Sequence, residues 1–368
     1  DVLGSRGLGD VYKRQVEYIT ADNGPMAKLR KENGREKPWK LKYLGVGNEC
    51  WGCGGNFLPE YYADVYRRYQ TYCREFNGNK LYKIASGASD YDWNWTDVMM
   101  KKAGRLMDGI SLHYYTVTGW NGSKGSATVF TPKDYYWTMG KCLEIEDVIN
   151  HHAQIMDKYD ARKRVGLLVD EWGTWWDTEP GTNPGHLYQQ NTMRDAMVAA
   201  LSLNVFQRHT DRVRMANIAQ VANVLQSMVL TKGDKMVKTP TYYVFKMYIP
   251  HMGATPIPLD VITTTFQASD KWSVETLQAT ASKKDGKVTV SLTNLDLDKP
   301  MEVEVNTGLA KVKDISGQVL TCKDITDYND FGQPEKVTLK EFKDAKAAKN
   351  GIVKVKLPAK SIVTLTME

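Results

Sequence analysis

Five apolar segments that each end in polar residues constrain the fold of this chain more than any other feature. They lie at residues 41–47, 80–90, 107–115, 164–172 and 213–226. Strands that are apolar on both faces, when they alternate with amphipathic helices, predict a parallel sheet covered on both sides. The polar residues then collect at the carboxyl ends of the strands, where a (β/α) barrel has its active site.

The stretches between these strands show the spacing of helices. Pro25 near a start and Gly34 past an end bound one short helix. Further helices are predicted over 144–160 and 187–207, with His152 on an apolar face, where we expect it to pack. A fourth helix should bury one face, formed by residues three or four apart: Tyr62, Val65, Tyr69, Tyr72 and Phe76.

From about residue 250 the pattern changes to apolar residues at every second position, as in 287–296 and 352–367. Asp285-Gly286 lies between two alternating runs and predicts a hairpin. We therefore expect an α/β domain over 16–249 and an antiparallel β-sandwich over 250–368. One further helix is predicted at 339–351.

The first fifteen residues, DVLGSRGLGDVYKRQ, do not fit either domain. They have neither the charged start nor the apolar core of a signal peptide. They are similar to a translated sequencing adaptor, so we expect 1–15 to be a non-native, disordered leader. The alternative is a disordered native tail.

Charge and cysteine content exclude several function classes. The net charge of +6 is spread thinly over 368 residues without a run of like charges, so we expect no nucleic-acid or membrane partner. The cysteine count is odd, and the lone C-x-x-C has no second pair for a zinc site. We expect all five to be unpaired packing thiols: Cys50, Cys53, Cys73, Cys142 and Cys322.

Two carboxylates stand out because each closes an apolar strand. Glu49 ends the first strand and Glu171 the fourth, 122 residues later. Hydrolysis of a glycosidic bond needs two such groups across the anomeric carbon, about 5–5.5 Å apart in retaining enzymes. A lone glutamate at a strand end is more often a helix cap or a loop ion pair, but two in matching corners favour the catalytic interpretation.

Aromatic and histidine side chains lie close to these carboxylates in sequence. His113 ends the third strand and could hold a nucleophile or bind a sugar hydroxyl, although a buried histidine is more often structural. Trp175 and Trp176 could stack on a sugar ring, although core packing explains tryptophan equally well. The chain has no phosphate-binding loop and no nucleophile elbow.

Four motifs in order are similar to those of the α-L-arabinofuranosidases of glycoside hydrolase family 51. They are KYLGVGNE, DGISLHYY, LLVDEWGTWW and MANIAQVANVLQ, and NGPMAKLRKENG ahead of them fits too. The resemblance runs from about Val16 to the C-terminus. It implies an exo-acting enzyme that releases arabinofuranose from arabinan, arabinoxylan or arabino-oligosaccharides by double displacement, with no cofactor and no metal.

The resemblance also implies residue roles. Glu49 matches the general acid/base and Glu171 the nucleophile. The remaining matches are substrate-binding residues: Asn48, His113, Tyr115, Trp175 and Gln220. From these roles we expect the pKa of Glu49 to be raised in the free enzyme and Glu171 to stay ionised.

The family pattern places three strands before the first motif, so the five strands here correspond to strands 4–8 of a (β/α)8 TIM barrel. Five strands cannot close a barrel, and we expect this chain alone to be poorly soluble or inactive. The intact protein could form homo-oligomers, and periplasmic or secreted localisation stays open. The rival functions are another retaining glycosidase of the same clan, an endoglucanase or xylosidase, and a fragment that at most binds carbohydrate.

Overall fold

The five predicted strands form one sheet in the order of the chain. The structure is a computed structural model that describes residues 8–368, with side chains from residue 14 onward. The strands are β1 (Tyr43–Val46), β2 (Tyr82–Ser89), β3 (Gly109–Thr116), β4 (Gly166–Thr174) and β5 (Val213–Ile218). Neighbours β1, β2 and β3 pair in parallel, which confirms the parallel sheet.

Burial differs between the middle and the edges of this sheet. All eight residues of β3 are buried, as expected for a strand covered on both faces. In β1 exposed and buried residues alternate, and β5 is buried only at its two ends. The expectation of two covered faces is therefore wrong for β1 and β5, which lie at the edges of the sheet in the described part of the chain, where the faces are less completely covered than in its middle.

Within residues 8–368, eight α-helices accompany the strands: α1 (Leu8–Thr20), α2 (Pro25–Glu32), α3 (Pro59–Tyr72), α4 (Trp93–Ala103), α5 (Pro132–Leu143), α6 (Ile145–Tyr159), α7 (Met193–Arg208) and α8 (Pro240–Tyr248). Proline lies in the first turn of α2, α3, α5 and α8. Asp92 caps α4, and Thr131 and Thr192 form capping boxes on α5 and α7. Within residues 8–368, no helix combines the length and apolar character needed to cross a membrane.

Two predictions for the N-terminal part of the chain need correction. Helix α1 begins at Leu8, so residues 8–15 of the expected disordered leader are helical, while residues 1–7 lie outside the described residues. That the leader is non-native stays a prediction. Helix α3 ends at Tyr72, before Phe76, and buries a different face, rotated by about one residue from the predicted one: Tyr62, Ala63, Tyr66 and Gln70.

The chain divides into two compact units that each draw on separate segments. The first comprises the chain up to His113, Val148–Asp170 and Asp211–Met215. The second comprises Tyr114–Asp147, Glu171–Thr210 and Ala216–Glu368. The domain boundaries at 15/16 and 249/250 stay predictions.

The C-terminal part of the second unit is antiparallel, as predicted. A six-stranded sheet has the order β15-β14-β18-β12-β11-β8, and a three-stranded sheet has the order β13-β17-β16. Side chains of both sheets share one apolar core, which includes Leu292, Val355 and Leu365. The strands are β8 (Thr255–Ile257), β11 (Leu277–Lys284), β12 (Lys287–Asn294), β13 (Met301–Asn306), β14 (Ile315–Thr321), β15 (Lys340–Glu341), β16 (Ala345–Ala347), β17 (Ile352–Leu357) and β18 (Ser361–Met367).

The predicted hairpin at Asp285-Gly286 is confirmed. Lys284 pairs with Lys287, and both loop residues have positive φ, 50° and 82°, as a type I′ turn requires. Two short hairpins complete the fold: β6 (Val229–Lys232) with β7 (Lys235–Lys238), and β9 (Thr265–Gln267) with β10 (Ser273–Glu275).

The helix predicted at 339–351 is wrong. This segment contributes β15, which pairs with β14, and β16, which pairs with β17. Phe342 between them is buried in the sandwich core, and its N–H donates to Gly317 O at 2.9 Å. Pairing with existing strand edges and burial of one phenylalanine outweigh the helical preference of a Lys- and Ala-rich sequence.

Candidate active site

A sharp corner follows β1 and carries Glu49. Gly47 and Glu49 both have positive φ, 109° and 44°. A side chain at position 47 would lie 2.7 Å from Cys50 Sγ, so only glycine fits there. The corner leaves Asn48 exposed and Glu49 partly buried, with 21% of its side chain exposed. Glycine adopts positive φ without strain, whereas Glu49 takes a conformation that is unfavourable for a residue with a side chain, and this orients its carboxylate.

Both oxygens of the Glu49 carboxylate have hydrogen-bond partners within the first unit. His113 Nδ1, on β3, lies 2.9 Å from Oε1. The thiol of Cys53, four residues further along the corner, donates to Oε2 at 3.1 Å. Hydrogen bonding from His113 lowers the pKa of Glu49 and outweighs burial, which raises it; the Cys53 bond lowers it further. The expectation of a raised pKa in the free enzyme is thus wrong.

The other nitrogen of His113 faces a second carboxylate. His113 Nε2 lies 3.3 Å from Asp170 Oδ1 on β4, and the imidazole is only 4% exposed. This Asp170 oxygen is buried and has no hydrogen-bond partner among the described residues. A protonated imidazole would have a carboxylate at each nitrogen, which favours a fixed ring orientation.

In the second unit, Tyr115 and Glu171 form a direct pair. The Tyr115 hydroxyl, on β3, donates to Glu171 Oε1 on β4. Tyr115 is buried, whereas Glu171 is partly exposed. The fourth strand therefore places Glu171 beside Tyr115, and the functional roles of both residues stay predictions.

Three aromatic rings lie together next to this pair. The Trp175 ring centroid lies 4.9 Å from that of Tyr115 and 5.5 Å from that of Trp120, and both contacts are edge-to-face. Trp120 is 51% exposed and Trp175 partly buried. Ala219 packs in the apolar cluster that contains Tyr115 and Trp175. Gln220, the next residue along the chain, is exposed.

Trp176, by contrast, is a structural residue. Its side chain is buried, its Nε1 donates to Asp195 Oδ1 at 2.9 Å, and the Arg194 guanidinium lies 3.7 Å from its ring centroid. The interpretation of Trp176 as a sugar-stacking residue is therefore wrong, and Trp175 alone of the two remains a candidate.

Asp195 accepts hydrogen bonds from the C-terminal end of β4 and from the start of α7. It is completely buried and accepts from Thr174 Oγ1 at 2.6 Å and Trp176 Nε1 at 2.9 Å. Its other oxygen accepts from Thr192 N at 2.7 Å in the capping box of α7. One carboxylate thus ties the strand that carries Glu171 to a helix start.

We expect Asp195→Ala to lower the free energy of unfolding by about 3–5 kcal/mol, because it removes the acceptor of four buried donors: Thr174 Oγ1, Trp176 Nε1, Thr192 N and Thr192 Oγ1. Asp134→Ala is the matched control, since Asp134 has the same capping-box role on α5 but is exposed. It should cost about 1 kcal/mol. Urea unfolding of both variants measures the difference, and equal losses would refute the buried network as the cause.

The remaining predictions concern His152 and the five cysteines. His152 is buried between Thr96 Oγ1 and the Asp90 carbonyl, each 2.9 Å away, and burial lowers its pKa to about 4, which confirms packing. None of the five cysteines forms a disulfide in the described part of the chain, as predicted. Cys53 is exposed, so its assignment as a packing thiol is wrong.

Sequence reasoning missed Cys53, Asp170 and Trp120 as neighbours of the predicted residues. Cys53 had one signal, its position four residues after Glu49 in a glycine-rich turn. Asp170 precedes Glu171 directly, and Trp120 lies in a loop rich in aromatic residues. None of these positions in sequence shows that the side chain contacts a predicted site residue.

Comparison with known families places both halves of the chain in one group. Residues 10–126 match the family described as alpha-L-arabinofuranosidase 1 domain, and residues 170–361 match the alpha-L-arabinofuranosidase C-terminal domain. An intracellular exo-alpha-L-arabinofuranosidase of Bacteroides ovatus is 61% identical over 371 residues, covering 100% of this chain and 72% of that protein.

More distant relatives and solved structures agree. An intracellular exo-alpha-(1->5)-L-arabinofuranosidase of Streptomyces lividans is 24% identical over 91% of this chain, which spans about half of that protein (52%). The crystal structure of the GH51 arabinofuranosidase from Xanthomonas axonopodis pv. citri has a TM-score of 0.94 and 47% identity, covering 99% of this chain and 74% of that one.

Proposed function

This chain belongs to the α-L-arabinofuranosidases of glycoside hydrolase family 51, and on that premise we propose that Glu171 is its nucleophile and Glu49 its general acid/base. The activity is the exo-hydrolysis of terminal α-L-arabinofuranosides with retention of configuration. The observation that carries the residue assignment is the position of both carboxylates in one parallel sheet, Glu49 just after β1 and Glu171 in the C-terminal half of β4, each with its own hydrogen-bond donor.

The reaction has two steps. In the first, a Glu171 oxygen attacks the anomeric carbon while Glu49 gives its proton to the departing glycosidic oxygen, which leaves an arabinofuranosyl ester on Glu171. In the second, the Glu49 carboxylate takes a proton from water as the water oxygen attacks the same carbon, and Glu171 leaves as a carboxylate. Two inversions give net retention.

The hydrogen bonds of the two carboxylates suit these roles. The Tyr115 hydroxyl stabilises the Glu171 carboxylate as attacking and as leaving group. The lowered pKa of Glu49 favours its ionised form, which the second step uses as a base. The first step needs the protonated form, so kcat/KM should fall as the pH rises through the pKa of Glu49.

We further propose that Asn48, His113, Tyr115, Trp175 and Gln220 bind the arabinofuranosyl unit, and that β1–β5 correspond to strands 4–8 of a TIM barrel. The substrate class is terminal arabinofuranosides of arabinan, arabinoxylan or arabino-oligosaccharides. The 61% identity to an arabinofuranosidase disfavours the endoglucanase and xylosidase alternatives. A panel of aryl glycosides tests this, and faster hydrolysis of a xyloside or glucoside would contradict it.

The chain spans 72% of the Bacteroides ovatus relative. The low solubility and inactivity expected for the 368-residue chain are tested first, by expression and by assay with an aryl arabinofuranoside.

We expect Trp175→Ala to raise the KM for an aryl arabinofuranoside by about tenfold, because it removes the partly exposed ring beside Tyr115 and Glu171. Trp272→Ala removes a partly buried ring elsewhere in the second unit and should leave KM unchanged. Steady-state kinetics of both variants make the comparison. An unchanged KM for Trp175→Ala would remove this residue from the substrate-binding set.

A further inference from the structure

We propose that Cys53 is a positioning residue that holds one oxygen of the Glu49 carboxylate and thereby sets how readily Glu49 takes up its catalytic proton. This role rests on the function proposed for Glu49. The thiol lies 3.1 Å from Glu49 Oε2, while His113 lies 2.9 Å from Oε1. Donors on two different segments thus fix both oxygens, which restricts rotation of the carboxylate.

The turn between the two residues is built for this contact. Gly52 N and Gly54 N both donate to Glu49 O, at 2.8 and 3.0 Å. A Cβ at position 54 would lie 1.8 Å from Asn48 O, so the backbone approaches itself at a distance that only glycine permits. The chain therefore folds back on the corner, and Cys53, directly before this glycine, faces the Glu49 side chain.

The His113 N–H and the Cys53 thiol differ in strength as hydrogen-bond donors. A histidine N–H is a strong donor, and it keeps Oε1 occupied, whereas a thiol is a weak donor and a weak acceptor. Protonating Oε2 costs only the weaker bond, after which the sulfur can accept the new O–H. We therefore assign the catalytic proton to Oε2, the oxygen on the Cys53 side.

Other titratable groups near Glu49 in the first unit are His113 from β3, with Asp170 of β4 behind it, and the buried Cys50 on the same turn. The proposed nucleophile Glu171 adds a further charge. None of these changes when Cys53 is replaced. A difference between Cys53 variants in the pH profile therefore reports the thiol contact.

The test is kcat/KM against pH for Cys53→Ala with an arabino-oligosaccharide, whose poor leaving group needs the proton of Glu49. Losing the donor raises the pKa of Glu49, so more of the acid stays protonated at high pH. We expect an unchanged acid-side plateau and about threefold higher kcat/KM on the alkaline limb, the size of one weak hydrogen bond.

Two control variants make the result specific. Cys53→Ser keeps a donor and should show no gain on the alkaline limb, and Cys322→Ala, which removes a thiol from the second unit, should overlay the wild-type profile. A Cys53→Ala profile that overlays wild type, or one reduced equally at every pH, would overturn the proposal. The second outcome would mean that the thiol only supports the turn.

Failure of this inference is distinguishable from failure of the proposed function. If Glu49→Ala loses activity on the oligosaccharide and azide speeds its turnover of a 2,4-dinitrophenyl arabinofuranoside, while Cys53→Ala behaves like wild type, only the role of Cys53 is refuted. If Glu49→Ala keeps normal activity and the wild-type alkaline limb, the acid/base assignment itself is wrong, and the Cys53 role falls with it.

Discussion

Glu171→Gly should lower kcat/KM for an aryl α-L-arabinofuranoside by on the order of 10⁴-fold or more, the loss seen when an enzyme loses its covalent nucleophile. The Tyr115 hydroxyl, which donates to Glu171 in the parent, would then face the cavity left by the carboxylate. Azide is small enough to enter that cavity and attack the anomeric carbon from the same side. The product should be the β-L-arabinofuranosyl azide, because only one inversion occurs.

The anomeric configuration of the azide product tests this prediction directly. Proton NMR of the azide product distinguishes single inversion from retention. The matched control is Glu275→Gln, which alters an exposed strand carboxylate of the same unit and should keep parental activity. Retention in the azide product, or activity within tenfold of the parent, would exclude Glu171 as the nucleophile.

Glu49→Ala should have an effect that depends on the leaving group. Cleavage of an oligosaccharide needs protonation of the departing oxygen, so kcat/KM should fall by about 10²–10⁴-fold. A 2,4-dinitrophenolate departs without a proton, so the first step should stay fast. The second step lacks its base, and the arabinofuranosyl-enzyme should accumulate as a burst of dinitrophenolate before a slow steady state.

Azide separates this variant from the previous one. It needs no general base, and it attacks the ester on Glu171 from the side where Glu49 stood, so the product should be the α-L-arabinofuranosyl azide. Glu60→Ala, at an exposed carboxylate of the first unit, is the control and should show no burst. Equal losses with both leaving groups would argue against an acid/base role for Glu49.

The parallel sheet was predictable because its strands carry their own signals. Each is a short apolar run that ends at glycine or a polar residue, and β3 and β4 are buried along most of their length. Helices α4, α5 and α8 were not predicted. Their aromatic and polar residues give no clean helical period, and their starts depend on caps such as Asp92 and Thr239, whose role emerges only with the helix.

The segment at 339–351 shows where local preference misleads. Its lysines and alanines favour a helix, but the edges of β14 and β17 offer backbone partners, and the core accepts Phe342. Those partners lie outside any local window of sequence. The same limit applies to helix α3, whose buried face is set by the elements it packs against.

Identities at the site were more predictable than environments. Glu49 and Glu171 follow from their positions at strand ends and from the motif resemblance. The lowering of the Glu49 pKa does not follow from the sequence, because it is caused mainly by a hydrogen bond from His113, 64 positions away. Trp175 and Trp176 are adjacent in sequence, and only the contact with Asp195 shows that Trp176 belongs to the core.

The most direct test of the central claim is the identity of the residue that becomes covalently bonded to the sugar. A 2,4-dinitrophenyl 2-deoxy-2-fluoro-α-L-arabinofuranoside should release dinitrophenolate in the first step. Its fluorine should slow the second step enough to trap the ester. Mass spectrometry of the digested enzyme should locate the added sugar in the peptide containing VGLLVDEW, and fragmentation should place it on Glu171 rather than on the neighbouring Asp170. A sugar on Asp170 or Glu49, or turnover with retention and no trapped ester, would contradict the account.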